Sequence, residues 1–210
     1  MDMLLSTAYM GNIQYFSKLA TGRAVIEAHE NFQKQTTRNH CRVMTAGGVR
    51  TLTVPVVWDH YNKMPIGEVK IDYTMPWQRT HWRTIHAAYS SSPYFGHYAG
   101  HVERMICSRR YGRLVELNNE TTAALLGMLG IEVPLRFTGA YSKDTDSALD
   151  FRDAISYKPR LGRPDPCFEA PEYYQVFSES LPFAPNLSVL DLIFCEGPQA
   201  GRIARDSFTG

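Results

Sequence analysis

The sequence has no CxxC pair, no P-loop, no GxGxxG, no GxSxG and no HExxH. These absences remove the glycine cradle for phosphate, the serine on a strained turn and the two-histidine zinc helix as named chemistries. The four cysteines, Cys41, Cys107, Cys167 and Cys195, are widely separated, which reads as reduced thiols with neither a disulfide framework nor a zinc site. Charge of one sign is also missing: 22 basic residues meet 21 acidic ones, for a net +1. A global electrostatic drive toward nucleic acid or an anionic membrane is thereby excluded, although a local basic patch is not. No apolar run approaches the ~18 residues of a membrane-spanning helix. Asp2 stands where an export signal would carry positive charge, so the expectation is a cytoplasmic protein. Nothing in the sequence points to a cofactor.

What is present is material for a core. Of 210 residues, 44% are hydrophobic, including 12 Tyr, 10 Phe and 3 Trp. A chain of this size can bury roughly 70% of its unfolded surface without a metal or disulfide. One domain over 1–210 is expected, with 1–75 mainly sheet around one helix, 76–130 helical, 139–172 a long surface loop and 173–210 a C-terminal segment. The fold class expected is α/β, with a Rossmann-like N-terminal βαβ sheet, a hairpin addition, and a helical middle and C-terminal part.

The local signals are these. Residues 3–9 and 24–28 read as buried strands, and Ile13, Phe16 and Leu19 recur at helical spacing between them. Gly22 closes that helix. Residues 41–44 and 49–57 flank Gly47-Gly48 and read as a hairpin. Residues 66–73 and 133–137 read as further strands. Helices are expected over 76–89, 94–111 and 114–129, the last capped by Asn118 or Asn119 and stopped by Gly130. A short helix is expected near 148–155, and another over 187–194 starting near Asn186. A loop as long as 139–172 serves as a lid or is disordered.

The residues between the second strand and the hairpin carry the functional signal. HENFQKQTTRNHCR (29–42) has three basic side chains, two histidines, four amides and one large apolar residue, Phe32. Ligands of open α/β sheets bind beyond the strand ends. Gln33, Lys34, Gln35, Thr37, Arg38 and Asn39 are therefore candidate binding residues, with Arg suited to phosphate or carboxylate and the amides to sugar hydroxyls. The first loop adds Tyr9, Asn12 and Tyr15 at a helix N-terminus, with Gly11 leaving room for a ligand near the backbone. On 76–89, Trp77 and Gln78 would face the same cleft, whereas Trp82 and Ile85 read as core. His97 and His101 share a helix face but lack a third ligand beside them, so no metal is assigned. Cys41 reads as a buried strand cysteine. Asp191 and Glu196 are minor candidates, Asp191 as a cap or the partner of a buried Arg and Glu196 at a helix end.

Five separated blocks, LLSTAYMGNIQYFSKL, HENFQKQTTRNHCR, LTVPV, IDYTMPWQRTHWRTIHAAYSSSPYFGHY and NLSVLDLIFCEGP, occur in an order that resembles the WbqC-like protein family. The resemblance covers most of the chain and is weakest over 139–170. It implies a setting in bacterial O-antigen and surface-polysaccharide synthesis more than a reaction. Where many members carry a Gln-Pro-x-Tyr strand end and a Pro-Trp pair, this chain has Ser6-Thr7-Ala8-Tyr9 and Gly11-Asn12. More distantly, the opening is similar to nucleotidyltransferases of the HIGH-signature superfamily, but Asn12 and Tyr15 stand where their phosphate-holding histidines would be. The resulting expectation is a group-transfer enzyme acting on a nucleotide-linked or amino sugar. In it, His81 serves as general base, with His29 as second choice, and the ligand is an anionic or sugar-linked small molecule. The alternative is a non-catalytic scaffold of a glycan assembly complex, anchored by Tyr94-Phe95 and Tyr173-Tyr174.

Overall fold

In the computed structural model, residues 1–57, 63–141, 150–157 and 163–210 are described. The architecture is mixed α/β, with two small sheets and six α-helices among these residues. Met3–Ser6 (β1) and Ala24–Glu27 (β2) pair in parallel, with Met3 opposite Ala24 and Ser6 opposite Glu27. The crossover is Ile13–Leu19 (α1), all seven residues of which are buried. Asn12 starts it by accepting the Tyr15 N–H at 3.0 Å, and Gly22, at φ +72°, turns the chain away.

Single parallel bridges extend this pair on both edges. Ile26 pairs with Phe137, and Leu4 pairs with Asp150. The order across the layer is thus 137, β2, β1, 150. The expected strand over 133–137 is reduced to this one bridge.

His40–Thr45 (β3) and Gly48–Thr53 (β4) form the expected antiparallel hairpin, with His40 opposite Thr53. Gly48, at φ +96°, supplies the left-handed turn. β4 stops at Thr53, short of the expected 57, because Pro55 removes a ladder donor. The strand expected over 66–73 is instead a 3-10 turn, Ile66–Glu68. Its backbone is satisfied by loops: Ile66 N–H donates to Glu30 O at 2.8 Å and Ile71 N–H to Gly112 O at 3.1 Å. Single bridges join Lys70 to Arg113 and Ile71 to Val56.

The remaining helices are Trp77–Tyr89 (α2), Phe95–Cys107 (α3), Leu114–Met128 (α4), Val189–Glu196 (α5) and Ala200–Asp206 (α6). The start of α4 is not capped by Asn118 or Asn119. Glu116 Oε2 accepts the N–H groups of Gly112 and Arg113, each at 3.1 Å. Asn118 lies inside the helix, fully buried, where it ties α4 to the first loop. Gly130, at φ +63°, ends the element as expected. α5 begins two residues later than expected, capped by Ser188. α6 was not anticipated. It approaches the end of α4 so closely that a Cβ on Gly201 would sit 1.9 Å from Leu129 O.

Asp191, in the first turn of α5, is fully buried and pairs with no Arg among the described residues. It accepts from Tyr89 Oη at 2.7 Å, Tyr173 Oη at 2.6 Å and Gln175 Nε2 at 3.0 Å. These bonds pin α2 and the 173–175 segment to α5, and burial still pushes the Asp191 carboxyl up. Glu196 does lie at the helix end. The short helix expected near 148–155 falls partly outside the described residues, and 152–154 form a turn. No helix among the described residues is long and apolar enough to cross a membrane.

Candidate functional site

β1 and β2 both end in polar residues, Ser6 and Glu27, at one edge of the parallel pair. The chain after β2 turns back over that edge. There Arg38, buried at 2% exposure, grips Glu30. Its Nε donates to Glu30 Oε1 at 2.9 Å, and its Nη2 donates to Oε2 and to Ser6 Oγ, the latter at 2.7 Å. Nη1 reaches Thr36 Oγ1 at 3.2 Å. Burial pushes the Glu30 carboxyl up, and the Arg38 guanidinium only partly opposes this.

A second guanidinium enters from the segment beside β1. Arg152 Nε donates to both Asp150 oxygens, at 2.9 and 3.0 Å, and Nη1 lies 3.6 Å from Glu27 Oε2. Glu27 also accepts the His29 N–H and the Thr138 hydroxyl, both at 2.8 Å. Between the two ion pairs lies a cavity of about 180 Å³. The loop after β2 lines it with Glu30, Asn31, Gln33 and Arg38. Tyr141, Asp150, Arg152 and Asp153 complete the wall. Three carboxylates thus face two guanidiniums, and both guanidiniums are engaged internally. Asp153 has no hydrogen bond or ion pair among the described residues. The arrangement suits a small ligand rich in donors: a carboxylate receives an amine or hydroxyl, and free amides read further hydroxyls.

The other residues singled out in the sequence lie elsewhere. Tyr9, Trp77 and His81 do meet. The Tyr9 hydroxyl is 3.0 Å from His81 Nδ1, and the Trp77 ring stands edge-on to both. All three are buried, and none lines the 180 Å³ cavity. Burial brings His81 down to about 4, a hydrogen bond to the Thr53 backbone notwithstanding, so the ring is neutral at pH 7. Burial likewise drives the Tyr9 hydroxyl well up.

The two loops expected to share an edge are in direct contact: Tyr9 N–H donates to Thr37 O at 2.9 Å. Asn118 Nδ2 bonds Thr7 Oγ1 at 3.1 Å and Arg38 O at 2.8 Å. Contact has closed the space. Residues 187–189 cover the first loop, with Ser188 Oγ donating to Met10 O at 2.8 Å and Val189 N–H to Gly11 O at 2.9 Å. The room at Gly11 is taken by Tyr15, whose Cδ1 would lie 2.6 Å from a Cβ there. No ligand approaches the backbone at that point. Asn12 is spent on its cap. Tyr15 is buried, and desolvation, with the Glu30 carboxylate acting at a distance, pushes its hydroxyl up.

Within the loop after β2, Gln33, Lys34 and Gln35 are exposed, whereas Thr37, Arg38 and Asn39 are buried. Asn39 Nδ2 donates to Val54 O at 3.1 Å. Gln35, at φ 57°, and Met10, at φ 43°, hold left-handed backbone that non-glycine residues seldom adopt. His29 is exposed, its Nε2 3.2 Å from Thr138 O. Gln78 bridges Ile106 O and Ser108 O at 3.0 and 2.9 Å. Cys41 is buried, and its thiol is pushed up, away from reactivity.

Sequence reasoning missed Glu30, Asp150, Arg152 and Asp153. For Glu30 the signal was there: an acid beside the 31–42 amide and basic run, one turn past a strand. The other three sit in a polar segment with no period, and only the bridge at Leu4 brings them in. It also missed Lys18, a fully buried cation on α1. Lys18 Nζ contacts Asp165 Oδ2 at 2.6 Å and lies 5.1–5.4 Å from the rings of Phe151, Phe168 and Phe208.

Residues 7–160 match the WbqC-like protein family, and the chain belongs to that family. It is 29% identical over 122 residues to "Uncharacterized protein Rv1507c" of Mycobacterium tuberculosis, an alignment covering 58% of this chain and 52% of that protein. The chain therefore spans about half the length of that curated relative. No solved structure matches.

Proposed function

We propose that the cavity between Glu30 and Arg152 is a substrate site, where the protein transfers a group to an amine-bearing sugar in bacterial surface-polysaccharide synthesis. The observation that carries this reading is the cavity's composition: two guanidiniums already held by carboxylates, an Asp153 with no partner among the described residues, and the amides of Asn31 and Gln33. A bare phosphate would find no unengaged cation among the lining residues. An ammonium or a set of sugar hydroxyls would find acceptors. The position also fits a Rossmann-like sheet, because the order 137, β2, β1, 150 reverses beside β1, and ligands of such sheets bind beyond the strand ends at that reversal. Family membership supports the polysaccharide setting, in the cytoplasm, where activated sugars are assembled.

In this reading the general base is Glu30 in place of His81. Its carboxylate is desolvated and therefore more basic than an exposed one. It takes the proton from the acceptor N–H or O–H as the bond to the transferred group forms and the bond to the donor's carrier breaks. Arg38 holds Glu30 in place, and the Tyr9 N–H fixes the backbone beside it at Thr37 O. His29 and Lys34 stand outside the lining.

A thermal-shift screen with glucosamine, glucose and glucose 6-phosphate tests the reading. A ligand at 100 times its dissociation constant adds ~2.7 kcal/mol of stability. Glucosamine should shift the transition most. Preference for the phosphate would reverse the charge argument. A second reading, binding without turnover in a glycan assembly complex, is favoured by the exposure of Tyr94 and Tyr174, which both bond to the C-terminal end of α5. Turnover of an amino sugar with any activated donor separates the two.

A further inference from the structure

A larger and oppositely charged concavity lies on the helical side of the molecule. One part, about 550 Å³, is framed by the first turn of α2 and the end of α3. It adjoins a second, about 720 Å³, between α3 and α4, with Glu103 and Cys107 common to both. Arg79 and Arg109 line the first part, and Arg104 and Arg110 the second. Against these four guanidiniums stand two carboxylates, Glu103 and Glu120, of which Glu120 is paired with Arg110. Arg79, Arg104 and Arg109 have no carboxylate partner among the described residues. All four arginines are exposed, so their charge is available to a ligand.

The guanidiniums are also placed. Arg109 lies over the Tyr73 ring, 4.7 Å from its centroid. Arg104 is folded back over Gly100, where its Nη1 would be 3.6 Å from a Cβ. Flat aromatic surface borders the same space. Trp82 stacks on Phe95 at 13° between planes and is half-buried, leaving part of its indole at the cavity wall. The first turn of α2 receives no side-chain cap, and its positive end faces the same part of the groove as Arg79.

We propose that this groove binds a nucleoside diphosphate. Planar guanidiniums fit phosphate oxygens in pairs, and an aromatic wall takes a base. Volumes of this size are those of small-molecule and cofactor sites. The inference does not depend on the amino-sugar site. It rests on different residues, and it moves the phosphate-binding role from the 33–40 loop, where the cations are already engaged or outside the cavity, to the groove along α3.

The test is titration calorimetry of the full chain with ADP, UDP and inorganic pyrophosphate. It is run on the unaltered protein, on Arg79→Glu/Arg109→Glu, and on Arg83→Glu, an exposed cation on α2 that lines a different cavity. Saturable binding of a nucleoside diphosphate is expected, weakened at least tenfold in the double variant, retained in Arg83→Glu, and quenching Trp fluorescence. Pyrophosphate should bind at least tenfold more weakly than the nucleotides. No binding, or binding indifferent to Arg79→Glu/Arg109→Glu, overturns the site. Pyrophosphate binding as tight as the nucleotides overturns the nucleoside assignment. Glucosamine binding is measured alongside, so failure here and failure of the amino-sugar reading remain distinct results.

Discussion

Arg38 and Lys18 are both buried cations, and each meets one carboxylate: Glu30 for Arg38, Asp165 for Lys18. Their surroundings differ. Lys18 is enclosed by three phenylalanine rings and the Cys167 carbonyl, and burial lowers its pKa despite Asp165. The polar groups next to that shell are engaged with one another, Gln14 Nε2 donating to Asp165 and Asn186 Nδ2 to Gln14 Oε1. Arg38 sits beneath a polar cavity whose opposite wall carries a second ion pair and an unengaged carboxylate. The lesson is that a buried ion pair points to chemistry when it borders space and to architecture when it is sealed. The Lys18 cage fastens the 165–168 segment onto α1. The Arg38 pair holds an acid at the mouth of the sheet edge.

The largest effect expected is from Arg38→Met. It leaves Glu30 buried without its cation, and loss of such a partner costs about 3–5 kcal/mol. Urea denaturation should show the unfolding free energy reduced by that amount. Next comes His81, whose folded-state pKa is about 4 against an ordinary 6.5. The neutral ring is the folded form, so its contribution is full above pH 6.5 and is lost as pH falls toward 4. That contribution is about 3 kcal/mol, from 1.36 kcal/mol per unit. The unaltered protein should lose this stability over that window, and His81→Gln should show a flatter acid limb.

Lys18→Met is expected to cost less, about 1–3 kcal/mol. Asp165 keeps donors from Gln14 Nε2 at 2.7 Å and its own turn through Cys167 N–H at 3.0 Å. The phenylalanine shell also accepts a methionine without loss of packing. Adding Asp165→Asn should recover most of that cost. Equal costs for the two single variants would erase the distinction drawn between the regions. Smallest is Asp153→Asn, which removes a charge with no partner among the described residues and should move stability by less than about 0.5 kcal/mol. Its effect belongs to ligand binding alone.

Much of the fold was legible because its signals are local. Ile13, Phe16 and Leu19 at helical spacing, with Asn12 before and Gly22 after, are enough to place α1. Gly47-Gly48 between apolar runs is enough for the hairpin. The 66–73 segment misled because its alternation mimics a strand while its hydrogen-bond partners are loop carbonyls, which no local pattern reveals. α6 was missed because the face it buries is made of small residues, Ala200, Gly201 and Ala204, which carry little hydrophobic signal. The site was half legible. The polar run after β2 lies at the edge where the 180 Å³ cavity opens, and Arg38 lines that cavity. Position alone, however, cannot tell an open loop from a covered one, so Tyr9, Tyr15 and His81 read as ligand contacts and turn out to be packed. Asp150 and Arg152 reach the edge through a single pairing to Leu4, over a sequence separation that leaves no trace in composition.

The most direct test of the amino-sugar site is calorimetric titration of glucosamine into the unaltered protein, Asp153→Asn and Lys18→Met, with glucose as the neutral control. The account predicts saturable glucosamine binding, tighter than glucose, weakened at least tenfold by Asp153→Asn and unchanged by Lys18→Met. Binding that Asp153→Asn leaves intact, or glucose binding as tightly as glucosamine, would contradict it.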